Sequence, residues 1–143
     1  MKALTNIKPI AGEQFEYPFR FSQADVIQFA AVTGDKNPVH LDEAYAATTP
    51  FKKPILHGFL SGSVFSKVFG TIFPGEGSIY MSQTMTFKRP MYVDQDYIAS
   101  FTIVEAEPTK GLLTITCKIS DGKAKICLEG EGKLMNKGVF SNQ

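Results

Sequence analysis

Between Leu56 and Phe73 large apolar residues (Leu56, Phe59, Leu60, Val64, Phe65, Val68, Phe69, Ile72 and Phe73) alternate with Gly and Ser, and only Lys67 carries charge. The spacing predicts a helix that is apolar on most sides, and such a helix must be surrounded by other protein. Its Gly and Ser residues allow strands to approach the backbone closely. Lys67, His57 and the interrupting small polar residues make the stretch too polar to span a membrane.

What surrounds that helix follows from the change of period after it. From Ser78, Ile79, Met81, Met85 and Phe87 alternate with Tyr80, Ser82, Thr84 and Thr86, the two-residue repeat of a strand. Strands are predicted at Tyr97 to Glu105, Leu112 to Ser120 and Lys123 to Met135. Turn signals separate them at Pro90, Pro108-Thr109-Lys110-Gly111 and Asp121-Gly122. Upstream, residues near Glu13 to Arg20 read as a strand. Ser22 reads as the cap of a helix whose apolar positions include Val26, Ile27, Phe29 and Ala30, with Gly34 as its stop. Asp42 to Ala47 reads as a short helix ending before Pro50. The order predicts an α+β domain, an antiparallel sheet wrapped around one central buried helix. With 143 residues and no linker-like segment, residues 1–143 are expected to form a single domain.

The charge balance narrows the partners. A formal net charge of +1 gives no broad electrostatic reason to bind nucleic acid or an anionic membrane. Met1 to Ile10 lacks an apolar signal-peptide region, so a cytoplasmic location is expected. The two cysteines, Cys117 and Cys127, are expected to be free thiols. A two-residue turn at Asp121-Gly122 would pair Cys117 with Ile126, Ile119 with Ala124 and Ile115 with Leu128. That register turns Cys127 to the opposite face with Lys125 and Glu129. No His, Cys or carboxylate cluster has metal-ligand spacing, and no phosphate-binding glycine loop or dinucleotide fingerprint is present.

Chemistry concentrates near the two histidines, His40 and His57. In Gly34-Asp35-Lys36-Asn37-Pro38-Val39-His40, Asn37-Pro38 imposes an extended or turning backbone. The bend could bring Asp35 and His40 to one spot, where a carboxylate and an imidazole suit general acid–base catalysis. The same string is also ordinary turn chemistry, with Asp35 capping a turn and His40 half-buried. Ile55-Leu56-His57-Gly58-Phe59 opens the buried helix, whose first N–H groups lack internal partners. Gly58 there could bring a backbone N–H to a carbonyl oxygen that gains negative charge, or it could serve tight packing alone with His57 as a cap. Lys52-Lys53 and Lys88-Arg89 are basic pairs that fit either carrier phosphates or solvent.

Phe29-Ala30-Ala31-Val32-Thr33-Gly34-Asp35-Lys36-Asn37-Pro38-Val39-His40, followed by Ala46, resembles the hydratase motif of the MaoC-like, (R)-specific enoyl-CoA hydratases. The likeness continues through Ala46 to Phe51, Pro54-Ile55-Leu56-His57-Gly58 and Gly77-Ser78-Ile79-Tyr80. The resemblance implies a hot-dog fold and a homodimer whose sheets join edge to edge. It implies an acyl-CoA thioester substrate, a trans-2-enoyl thioester interconverted with its (R)-3-hydroxyacyl form, and no cofactor. Asp35 and His40 carry over as the catalytic pair holding one water, and Gly58 as the backbone donor to the thioester carbonyl. Asn37 carries over as support for the loop and Ser66 as a residue lining the site. Three other readings share the fold. A dehydratase acting on acyl-carrier-protein thioesters differs in carrier. A thioesterase would want a carboxylate near the central helix, where Leu56 to Phe73 offers none. A non-catalytic acyl-thioester binder would lack the acid–base pair or carry an added DNA-binding segment.

Overall fold

The computed structural model describes residues 4–141; residues 1–3 and 142–143, part of the expected domain span, lie outside the described residues. The elements run β1 (Gln14–Phe19), α1 (Gln23–Thr33), α2 (Pro38–Leu41), α3 (Glu43–Ala47), α4 (Gly58–Thr71), β2 (Ile79–Gln83), β3 (Thr86–Phe87), β4 (Tyr97–Glu107), β5 (Leu112–Ser120), β6 (Ile126–Met135) and α5 (Gly138–Ser141). The strands form one antiparallel sheet in the order β1-β4-β5-β6-β2, with β3 also on β6. This is the α+β architecture expected. No helix among the described residues is long and apolar enough to cross a membrane.

Helix α4 is the predicted central helix. Leu60, Ser61, Val64, Phe65, Val68 and Phe69 are its buried positions. The apolar ones belong to the same core as Phe101 and Ile103 of β4, Leu113, Ile115, Cys117 and Ile119 of β5, and Leu128 and Leu134 of β6. Phe65 and Phe69 meet Phe101 edge-on at 5.9 and 5.5 Å, and Phe15 of β1 stacks on Phe101 at 4.9 Å. Each fully buried side chain of this size contributes roughly 1.5–3 kcal/mol, so the helix is held to the sheet mainly by these rings.

Local signals set the ends of α1. Ser22 accepts from the Asp25 N–H while the Asp25 carboxylate accepts from the Ser22 N–H, a reciprocal cap. At its other end Gly34 takes φ +78°, a conformation costly for a residue with a Cβ.

One expectation fails at the β5–β6 turn. Ser120 pairs with Ile126, Ile119 with Leu128, Cys117 with Gly130 and Ile115 with Gly132, not with Lys123, Ala124, Ile126 and Leu128. Neither Asp121 nor Gly122 adopts positive φ; Ala124 does, at +60°. The cause is the Asp121 carboxylate, whose Oδ1 accepts from the N–H groups of Lys123 and Lys125 at 2.8 and 3.0 Å. Those bonds, with Asp121 N–H donating to the Lys125 carbonyl, build a longer loop. Ala124 is therefore exposed, and Cys127 is buried instead of sharing a polar face with Lys125 and Glu129. Both cysteines are free, as expected. Burial pushes the Cys117 thiol up to about 12, which makes it inert as a nucleophile at neutral pH.

Candidate active site

Residues 35–40 do more than bend. Asn37 Oδ1 accepts from the Val39 N–H at 3.2 Å and caps α2, with Pro38 in the first helical position. His40 thus rides on a one-turn helix, not on the plain turn that Asn37-Pro38 predicts. Its Nδ1 lies 2.8 Å from the Ile55 carbonyl oxygen. A carbonyl only accepts, so Nδ1 carries the proton and Nε2 is the basic nitrogen. Gln23 donates to the His40 carbonyl at 3.0 Å, and the Ile55 N–H donates to the Val39 carbonyl at 3.2 Å. The ring is buried, and burial lowers its pKa below the ordinary value of 6.5, against the Ile55 bond that raises it.

Asp35 follows the αL cap of α1. Its N–H donates to Thr33 Oγ1 at 3.2 Å, and its carbonyl accepts from His57 Nε2 at 2.9 Å, while its side chain is exposed. The donor atoms of Asp35, His40 and His57 all lie within 4.8 Å of one another. The structure therefore brings the expected pair together, with His57 as a third member. Three such groups could meet a cation. The His40 and His57 rings, however, are stacked at 3.9 Å and tilted by only 28°. Imidazole lone pairs lie in the ring plane, so two stacked rings do not converge on one ion.

Gly58 is the first residue of α4, preceded by His57 in the cap position. Its N–H belongs to the first turn, which has no carbonyl of its own helix to bond. A Cβ here would fall 2.6 Å from the Phe87 ring, so glycine also lets β3 close over the helix start. His40 and Gly58 line one cavity of about 330 Å³, whose other walls include Phe51, Ile55, Leu56, Phe87, Met91 and Leu128. Lys88 and Arg89 border the same cavity; Lys88 pairs with Glu129 at 2.9 Å. Lys52 and Lys53 border a separate depression beside Tyr92. Ser66 stands apart: it is exposed, two turns along α4 from Gly58, and does not line this cavity.

Both the sequence and this fold, a sheet wrapped on one helix, are matched by known proteins. Residues 7–121 match the MaoC like domain, and the chain belongs to that family. An (R)-specific enoyl-CoA hydratase of Aeromonas caviae is 39% identical over 84% of this chain and 90% of its own. A mitochondrial 3-hydroxyacyl-[acyl-carrier-protein] dehydratase of Solanum lycopersicum is 32% identical over 80% of this chain and 70% of its own. The solved structure of the A. caviae (R)-hydratase involved in PHA biosynthesis superposes with a TM-score of 0.85. That match is 37% identical and covers 89% of this chain and 96% of the other. The fold is the hot dog.

Proposed function

We propose that this chain is an (R)-specific enoyl-CoA hydratase, adding water reversibly and on one face to a trans-2-enoyl-CoA to give the (R)-3-hydroxyacyl-CoA. The observation that carries the reading is the meeting of Asp35 and the buried, Nδ1-tethered His40 next to the free N–H end of α4. In this reading Asp35 and His40 hold one water over C3. His40 Nε2, kept neutral by burial, takes a proton from the water as its oxygen bonds to C3. The C2–C3 π electrons move onto the thioester, whose oxygen the Gly58 N–H stabilises. C2 then gains, on the same face, the proton that His40 took from the water, relayed through the Asp35 carboxylate, so that both groups end as they began. No cofactor enters, because the thioester itself acidifies C2. Asn37 supports the loop through its cap on α2. Ser66, exposed on α4 and away from the cavity, has no part in this mechanism.

A carrier-protein thioester is the second reading, favoured by the resemblance to the tomato dehydratase and by the basic Lys88-Arg89 border. Adding the protein to crotonyl-CoA should abolish the enoyl absorbance, and faster turnover of the acyl-carrier-protein ester would move the assignment to the second reading. No loss of absorbance with either carrier would leave only a binding protein.

The same reading takes the single domain to be a homodimer in the cytoplasm, where two free thiols are at home. Edge strand β2 leaves Ile79, Tyr80 and Met81 exposed, with Phe59 and Phe87 nearby. An apolar sheet edge of this kind is ordinarily covered. Sedimentation is expected to give twice the chain mass, and Met81→Glu to shift it towards a monomer. A wild-type protein that sediments as a monomer at micromolar concentration would refute the dimer.

A further inference from the structure

We propose that His57 is a positioning residue that holds Asp35 and His40 in working register, through its Nε2–H bond to the Asp35 carbonyl and its ring against the His40 ring. The inference rests on the reading of Asp35 and His40 as the acid–base pair.

His57 occupies the cap position of α4, yet its side chain makes no capping bond. Cap side chains normally serve the first N–H groups of their own helix. His57 instead reaches back 22 residues to Asp35, at 2.9 Å. Its ring lies 3.9 Å from His40 and 4.7 Å from Phe29. Two residues earlier, the Ile55 carbonyl accepts from His40 Nδ1 at 2.8 Å. The segment from Ile55 to Gly58 therefore anchors both members of the pair and ends at the N–H assigned to the thioester oxygen.

A purely structural role fits poorly. His57 is 2% exposed and its Nδ1 has no hydrogen-bond partner among the described residues. The Asp35 carbonyl assigns the proton to Nε2, so Nδ1 is a bare acceptor in the interior. Such a group costs stability that Leu or Phe would not. What those residues cannot supply is the Nε2–H to Asp35.

Three variants separate the roles. His57→Phe keeps a ring against His40 and loses the donor. His57→Gln keeps a donor at about the Nε2 reach, and His57→Asn places its donor too short. We expect folded His57→Phe and His57→Asn to lose about 10–10²-fold in kcat, as small displacements of reacting groups do, with KM changed far less. His57→Gln should recover most of that loss.

The proposal is overturned if folded His57→Phe or His57→Asn keeps kcat within about twofold of wild type. It is also overturned if losses across the three variants follow melting temperature alone, or if they fall on KM and leave kcat unchanged. Should His57→Phe not fold, equal kcat in the Gln and Asn variants overturns it and a clear advantage of Gln supports it. Retained activity in Asp35→Asn and His40→Gln would instead overturn the acid–base reading beneath it.

Discussion

His40→Gln and Asp35→Asn are each expected to lower kcat for hydration of crotonyl-CoA by about 10²–10⁴-fold, the usual contribution of a positioned acid or base. Both substitutions are close in size and lie on segments pinned by other bonds, so the variants should melt near wild type. If the two groups act on one water, as proposed, the double variant should lose little more than either single one. The wild-type pH profile carries a further sign. In the proposed mechanism His40 acts as its neutral form, and burial lowers its pKa below 6.5. Activity should be complete above that ordinary value and fall only as pH drops through the lowered one, and His40→Gln should lack that limb. A folded variant of either residue with near-full activity would show that the pair is structural.

Gly130→Ala should cost more stability than any other single methyl group added to the sheet. Gly130 lies on β6, paired with Cys117, where the chain between β2 and β3 crosses over it. A Cβ at this position would overlap the Thr84 carbonyl oxygen and approach its carbon at 2.7 Å. Thr84 cannot simply swing aside. Its N–H donates to the Glu131 carbonyl at 3.0 Å, and its Oγ1 accepts from the Glu131 N–H at 3.0 Å. Because backbone must move, the cost is expected at about 3 kcal/mol, the upper part of the overpacking range, and the melting temperature should fall by roughly 10 °C. Gly70→Ala is the internal control. It sits in α4 with nothing within 4 Å of the added Cβ, so it should stabilise by about 0.5–1 kcal/mol. Equal melting temperatures for the two variants would show that the crossing at Thr84 is loose.

These two positions differ in how far the sequence discloses them. The apolar stretch from Leu56 to Phe73 announces a buried helix because its pattern is a property of one segment. The cap at Ser22, the stop at Gly34 and the β4 and β5 boundaries are equally local. The Asp121 loop is local too, but it misled, because a carboxylate that takes two backbone N–H groups outcompetes the tight turn that Asp-Gly favours. Asn37-Pro38 likewise reads as a turn, although Asn as cap and Pro as first residue is an equally good helix start. Gly130 is invisible in sequence, since its neighbour Thr84 is 46 positions away and arrives only through strand order. His57 is half legible: the His-Gly pair marks the start of α4, but its partners Asp35 and His40 follow only from how α1, α2 and α4 come together. Ser66 shows the reverse. Its position along α4 was readable, while its exposed face follows from packing.

The most direct measurement is the stereochemical course of crotonyl-CoA hydration in D₂O, read by chiral analysis at C3 and by the NMR coupling between the C2 and C3 protons. One water held by Asp35 and His40 on one face predicts (R)-3-hydroxybutyryl-CoA with a single deuterium at C2, added syn to the hydroxyl. An (S) product, anti addition or deuterium scrambled between both C2 positions within one turnover would contradict the account.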